Sequence, residues 1–172
     1  AYGRLNAPRL RRACAGALAQ RVRAPAEAAA LGAWLVATAD AEPSRLCAGE
    51  LLAARGAIEL PGAPAVLRAR LAQDSWNQRQ RAAVLRGLGA CGEAAAIDDV
   101  LPLLADDAQP DGVRCAAAAA AARLGQRHPL ARERIRRALS DQLPAGTLHL
   151  RAAAAQALAD LGDPAARGAL AD

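Results

Sequence analysis

The chain of 172 residues contains no Lys, Met or Phe, and its only aromatic residues are two Trp and one Tyr. Residues that favour strands are scarce as well: Val and Ile together number 9 and Thr 2, against 51 Ala and 25 Leu. Because Ala and Leu favour helices, this composition argues against an all-β or a βαβ fold. The 53% hydrophobic and 23% charged residues indicate one folded domain rather than a disordered chain.

Long apolar runs are missing too. The longest uncharged stretch around Trp34 has twelve residues, from 28 to 39. A membrane-spanning helix needs about 20 apolar residues, so this stretch predicts a buried helix and no membrane span. No signal peptide is recognisable, which favours a cytoplasmic location. The absence of Met and an incomplete last repeat indicate a fragment or one domain of a longer protein, from which a targeting segment could be missing.

The positive charge is carried by one residue type. All 22 basic residues are Arg, and with 17 acidic residues they give a net charge of +5. This excess is too small and too evenly spread to indicate a nucleic-acid partner by itself. The abundance of Ala, Arg, Gly and Pro is typical of GC-rich coding sequences and suggests a bacterial source.

Reactive residue types form no recognisable cluster. The four Cys contain no CxxC pair, and their placement favours buried structural thiols over a disulfide or a metal site. The two His and three Ser lie near predicted loops or helix starts, where capping explains the Ser residues. Glycines occur about once per repeat rather than in a phosphate-binding loop. We therefore expect a chain that is not an enzyme and has no catalytic residue, cofactor or metal ligand.

The strongest positive signal is an internal repeat. Segments that begin at Arg12, Arg45, Arg81, Arg114 and Arg151 follow one another at spacings of 33, 36, 33 and 37 residues. These five anchor arginines define repeat units of a single domain covering residues 1–172. The units span about 12–44, 45–80, 81–113, 114–150 and the incomplete 151–172.

Each unit begins with one amphipathic helix. The positions three, seven and ten residues after each anchor lie on one helical stripe, and fourteen of these fifteen residues are apolar. The exception is Arg55, which we expect to extend past its helix into water. Four units carry Gly eleven residues after the anchor, and we expect each to end its helix in a left-handed conformation. These are Gly56, Gly92, Gly125 and Gly162.

A second amphipathic segment follows each of these helices, so each unit is predicted to be a helical hairpin. The clearest case has apolar residues at 97, 100, 101 and 104, and another has them at 31, 34 and 35. Pro25 and Pro164 both fall thirteen residues after their anchors, where the first turn of a helix tolerates Pro. Ser75 with Gln78 predicts a capping box before the third unit.

These segments resemble the HEAT-like repeats of the short bacterial type named after phycobilisome lyases. The closest match runs from Leu150 through Gly162 to Pro164, and a second begins at Asp74 and continues through Arg81 to residue 106. The resemblance covers residues 74–172 well and 12–73 loosely. It implies an all-α fold, an α-solenoid of about five stacked antiparallel hairpins of which the last is incomplete.

The anchor arginines admit two interpretations. In the first, they form a ladder paired with loop acids such as Asp74 and Asp107, each seven residues before its Arg. In the second, they form a basic stripe that binds phosphates, and such binding would depend strongly on salt. The ladder is the favoured interpretation.

The resemblance implies that second helices line the concave face, where the charge alternates in sign. We expect a protein or peptide partner there, with Arg68, Asp98, Arg132 and Arg136 as the candidate contacts. Arg132 and Arg136 are one turn apart and could project together toward a groove.

The leading hypothesis is thus a non-catalytic scaffold module that binds a protein or peptide. One alternative is a nucleic-acid-binding domain with an Arg-lined groove, although the aromatic pocket of HEAT-like glycosylases cannot be assembled from Trp34, Trp76 and Tyr2. Another is an accessory domain or subunit of a larger enzyme. The sequence does not indicate the oligomeric state, the partner's identity or the curvature of the solenoid.

Overall fold

The residues that the computed structural model of the protein describes form helices and the turns that connect them, and no strand occurs among them. The prediction of an all-α fold is therefore confirmed. The described residues are 13–14, 17, 25–58, 62–73 and 75–163, without the side chains of residues 25, 26 and 76.

Eight α-helices follow one another within these ranges. Short 3-10 turns at Trp76–Gln78 and Pro129–Ala131 and one helical turn at Gln142–Ala145 connect some of them. The helices are α1 Pro25–Ala41, α2 Arg45–Ala57, α3 Ala63–Leu71, α4 Arg79–Cys91, α5 Ala96–Ala105, α6 Asp111–Arg127, α7 Arg132–Ser140 and α8 Leu148–Asp160.

The helix starts follow the repeat. α2 begins at its anchor Arg45, while α4, α6 and α8 begin two or three residues before theirs. We call α2, α4, α6 and α8 the first helices, and α1, α3, α5 and α7 the second helices. Of the first helix predicted for residues after Arg12, only residues 13–14 and 17 are described, and they are helical; the second helix predicted after Pro164 lies outside the described residues.

Packing links neighbouring units more than it links the two helices of one unit. The two most extensive contacts in the described chain are between successive first helices, α2 with α4 and α4 with α6, and α6 also packs on α8 as extensively as on α5. α3, α5 and α7 each pack more extensively on the first helix of the next unit than on that of their own unit. Each unit therefore supplies part of the hydrophobic core of the next.

Small residues let the first helices approach closely. A Cβ atom added at Gly56 of α2 would lie 2.3 Å from the carbonyl oxygen of Gly87 in α4. One added at Gly89 of α4 would lie 2.7 Å from the Cα atom of Ala120 in α6. Backbones packed at this separation leave no space for larger side chains.

The repeat glycines therefore have two roles rather than one. Gly92 and Gly162 follow their helices with φ of 70° and 75°, which confirms the predicted left-handed ends. For Gly56 and Gly125 the prediction was wrong, because both lie inside helices that continue to Ala57 and Arg127. Their hydrogen side chains are needed for packing; a Cβ atom at Gly125 would approach a Leu161 methyl to 2.8 Å.

The predicted stripe forms the core of the first helices. Val84, Leu88, Leu124 and Leu158 are fully buried, with Ala117 and Ala154 between them. Cys91 is only half-buried. The expectation for Arg55 was wrong: it lies inside α2 and its residue is only 7% exposed.

Two further local predictions are partly corrected. α1 is helical as predicted, but only one face is buried: Leu35 is inaccessible while Trp34 is 37% exposed. The capping box of Ser75 and Gln78 does not form, because the Ser75 hydroxyl accepts a hydrogen bond from the backbone N–H of Gln80 at 3.0 Å. Gln78 has φ of 50°, so the chain turns once more before α4 begins.

The core assignment predicts large effects of truncation. Leu88→Ala and Leu158→Ala should each lower the free energy of unfolding by about 2–5 kcal/mol, since both remove a fully buried side chain. Urea denaturation followed by circular dichroism measures the change. Unchanged midpoints in both variants would contradict the placement of the stripe.

The close approach of the first helices predicts a contrast between two glycines. Gly56→Ala should destabilise the protein by about 2 kcal/mol or more, because the new methyl would meet the backbone of Gly87. Gly112→Ala, in an exposed helical position with nothing within 4 Å, should stabilise it by about 0.5 kcal/mol. Thermal unfolding of the two variants provides the comparison, and equal shifts would refute the close packing.

Candidate functional site

Ion pairs connect the second helices across their exposed surface. Arg70 of α3 contacts Asp40 of α1 through both carboxylate oxygens, and Arg68 of α3 contacts Asp99 of α5. Arg134 of α7 forms an ion pair with Asp98 of α5. Each pair of successive second helices is therefore joined by at least one Arg–carboxylate bridge.

The predicted contact residues lie on this surface but not in one cluster. Arg68 is paired with Asp99, and the Asp98 carboxylate lies 2.7 Å from a guanidinium nitrogen of Arg134. The guanidinium of Arg136 is engaged as well, so the surface alternates in sign because its charges pair across helix boundaries.

Arg132 and Arg136 do not project together as a free pair. The Arg132 side chain donates to the carbonyl of Gly125 at 3.4 Å. Arg136 donates to Asp163 at 2.7 Å and to Glu133 at 3.0 Å, and the hydrogen bond to Asp163 raises the pKa of its guanidinium. Both arginines therefore tie α7 to neighbouring segments.

These ion pairs differ in strength because their side chains are buried to different extents. The Asp98 and Arg134 side chains are 71% and 60% exposed, so their pair contributes little, about 0–1 kcal/mol. The Asp163 side chain is only 3% exposed where it meets Arg136. This contact fixes the position of α7 against the end of α8, whereas Asp98 and Arg134 stay available to solvent.

A groove lies between α5 and α7. It has a volume of about 480 Å³, and Leu101, Pro102 and Ala105 form its α5 side. Glu133 and Arg137 of α7 belong to its charged rim. Binding pockets are commonly apolar clefts with a few polar groups at their edges, and this groove has that composition.

Two anchor arginines form the same bridge one unit apart. Arg81 donates to the carbonyl of Leu71 at 2.7 Å and to the side-chain oxygen of Gln109 at 2.8 Å. Arg114 donates to the carbonyl of Leu104 at 3.1 Å and to the side chain of Gln142 at 2.7 Å. Every participant is shifted by 33 residues between the two bridges.

Arg81 and Arg114 therefore form repeated bridges, but these bridges use carbonyls and glutamines rather than the loop acids that the ladder predicted. Arg114 pairs with a carbonyl and an amide rather than with Asp107, so that expectation was wrong. The carbonyl at the end of a second helix needs a donor, and the guanidinium supplies it. Asp74, the acid predicted for Arg81, lies outside the described residues.

Sequence reasoning missed several of these partners although a signal was present. Gln109 and Gln142 both stand 28 residues after an anchor, so extending the repeat register to the polar positions would have identified them. Arg68 and Arg134 stand 23 and 20 residues after their anchors and share no register position. Nothing in the sequence indicated Asp163 as the partner of Arg136.

The Cys and His side chains differ in their surroundings. All four Cys are free thiols, and burial raises the pKa of Cys91 to about 11. His128 lies 2.7 Å from the carbonyl oxygen of Gly92 and bonds it across units, whereas His149 is exposed. Within the described part of the chain, no group of three His, Cys, Asp or Glu could hold a metal ion.

Comparisons with known proteins add no assignment: no protein-family model matches the chain, and no curated protein shows significant similarity to it. Among the helices described here, none has the length and apolar character needed to cross a membrane. The function must therefore be argued from the surface itself.

The loop before α6 predicts a pH dependence of stability. Asp106 accepts hydrogen bonds from the Gln109 side chain and the Ala108 N–H, and these bonds lower its pKa. A lowered pKa stabilises the folded state above the unfolded pKa of about 3.9, and this contribution is lost as the pH falls through the folded value.

Asp106→Asn should therefore be less stable than the parent chain at pH 7, and the difference should shrink below about pH 4. Urea midpoints between pH 2.5 and pH 7 measure it, with Asp107→Asn as the neighbouring control. A difference that does not change with pH would contradict the role of the charged carboxylate.

Proposed function

We propose that the chain is a HEAT-like α-solenoid that acts as a non-catalytic scaffold and binds a protein or peptide on the surface of its second helices. The resemblance implies that this surface is the concave one. The observation that carries the proposal is the groove between α5 and α7, which combines an apolar side with a rim of both charge signs.

The repeat architecture is supported by two features of the contacts. Extensive packing occurs between helices of the same or adjacent units among the described residues. The bridges of Arg81 and Arg114 repeat with the sequence period, which is expected when identical units stack in one direction.

The composition of the groove favours a polypeptide as its ligand. Leu101, Pro102 and Ala105 offer a shallow apolar strip, on which an amphipathic helix could place its apolar face. Glu133 and Arg137 could then pair with charges of either sign at the edges of that helix. Mixed charge provides orientation and specificity more than affinity.

A selection of displayed peptides against the folded chain tests this proposal. Peptides that bind should lose at least about tenfold in affinity on Ala105→Arg, because the long side chain would occupy the groove. Ala159→Arg is the matched control, since Ala159 is likewise exposed in the last turn of its helix, α8. Binders that are unaffected by Ala105→Arg, or equally weakened by both variants, would contradict the assignment.

Nucleic-acid binding is the second candidate and is less well supported. Arg68, Arg70, Arg134 and Arg136 all contact carboxylates, so they do not form a free basic stripe. Titration with short duplex DNA at about 100 mM salt separates the candidates. Micromolar binding that weakens steeply with added salt would favour nucleic acid over a protein partner.

An accessory domain of a larger enzyme remains the third candidate, because a groove for a polypeptide would serve there equally well. A cytoplasmic location fits all three candidates. The four free thiols are typical of proteins from reducing compartments.

A further inference from the structure

Arg55 is a buried cation with no counter-charge among the described residues. Its residue is 7% exposed, and its Nη1 atom is buried with no hydrogen-bond partner. No carboxylate of the described chain forms an ion pair with it. Arg remains protonated in proteins, so burying it unpaired costs free energy that a structural role alone does not explain.

Cys91, a titratable neighbour of Arg55, cannot neutralise this charge. Burial lowers the pKa of Arg55, and the interaction with Cys91 opposes that shift. The pKa of Cys91 is itself raised to about 11 by burial, so this thiol is uncharged at pH 7. The described residues therefore supply no anion that pairs with Arg55.

Arg55 lines a second groove, which lies between α1 and α3. This groove has a volume of about 630 Å³, within the range of small-molecule sites. α1 contributes five small apolar residues between Ala29 and Ala37, and α3 contributes Val66. The other charged residue in the wall, Asp40, is already paired with Arg70.

The two grooves occupy equivalent places, each between successive second helices, but differ in chemistry. The groove between α5 and α7 has several charged residues on its rim, including Glu133 and Arg134. The groove between α1 and α3 has an almost wholly aliphatic wall with one unneutralised guanidinium. A ligand for it must therefore be apolar along its length and carry one negative charge.

We propose that the groove between α1 and α3 binds a small aliphatic monocarboxylate, whose carboxylate pairs with the guanidinium of Arg55. A planar carboxylate matches the guanidinium geometry, and the aliphatic body would cover the exposed alanines of α1. A multiply charged anion fits less well, because Arg55 is the only cationic residue among the described residues that line the groove, and Asp40 lies in the same wall. This site goes beyond the proposed polypeptide groove and does not depend on it.

Titration of the protein with octanoate, followed by calorimetry and thermal unfolding, tests the proposal. Octanoate should bind saturably and raise the melting temperature, whereas octanol and octylammonium should not, because they lack the carboxylate. Arg55→Met keeps the apolar stem and removes the charge, and it should weaken octanoate binding at least about tenfold. Arg123→Met, which removes an exposed Arg of α6, should leave octanoate binding unchanged.

A second pair of variants tests the groove without touching the buried Arg. Ala33→Leu would fill the groove from the exposed side of α1 and should abolish octanoate binding, whereas Ala119→Leu, at an exposed position of α6, should not. Ala105→Arg should also retain octanoate binding, which separates this site from the polypeptide groove.

Three outcomes would overturn the proposal. The first is octanoate binding that survives Arg55→Met, and the second is no response of the parent chain to octanoate. The third is an equal response to acetate or to a short peptide with a free terminal carboxylate, which would show that the aliphatic wall selects nothing.

Discussion

The fold depends on how closely the backbones of successive first helices can approach. At Gly56 the helices α2 and α4 meet so closely that even a methyl group would overlap the Gly87 carbonyl. Contacts at this distance gain dispersion energy over many atoms, although each Ala or Gly buries little area. Leu and Val side chains such as Leu88 and Val84 then fill the space beside the contact. An Ala-rich chain with few large residues can build a dense core in this way.

The close packing of the first helices determines where the charged residues of neighbouring second helices meet. Each second helix packs against the first helix of the next unit, so neighbouring second helices face each other across narrow grooves. Arg–carboxylate bridges such as Arg70 with Asp40 close these grooves in part. The segments left open, beside Ala33 and beside Ala105, are therefore the accessible apolar surface between charged rims. Both candidate sites arise from this single geometry.

Sequence reasoning identified the local features and missed the roles that depend on contact partners. The stripe containing Leu88 and Leu158 was predicted because helical periodicity alone places it on one face. Gly92 and Gly56 look alike in the repeat, yet one ends a helix and the other receives a neighbouring backbone. Arg55 occupies a position of the stripe, which helical periodicity assigns to the interior, but its charge led to the wrong expectation that it extends into water.

The sequence by itself determined the helical class, the repeat period and the core stripe, because propensity and periodicity act over a few residues. It also placed Arg68, Asp98, Arg132 and Arg136 on the second helices. Only the tertiary structure decided which charges are paired, since partners such as Arg81 and Gln109 stand 28 residues apart. It alone buried Arg55 and left its Nη1 atom without a hydrogen-bond partner among the described residues, because burial depends on how neighbouring units close around a side chain.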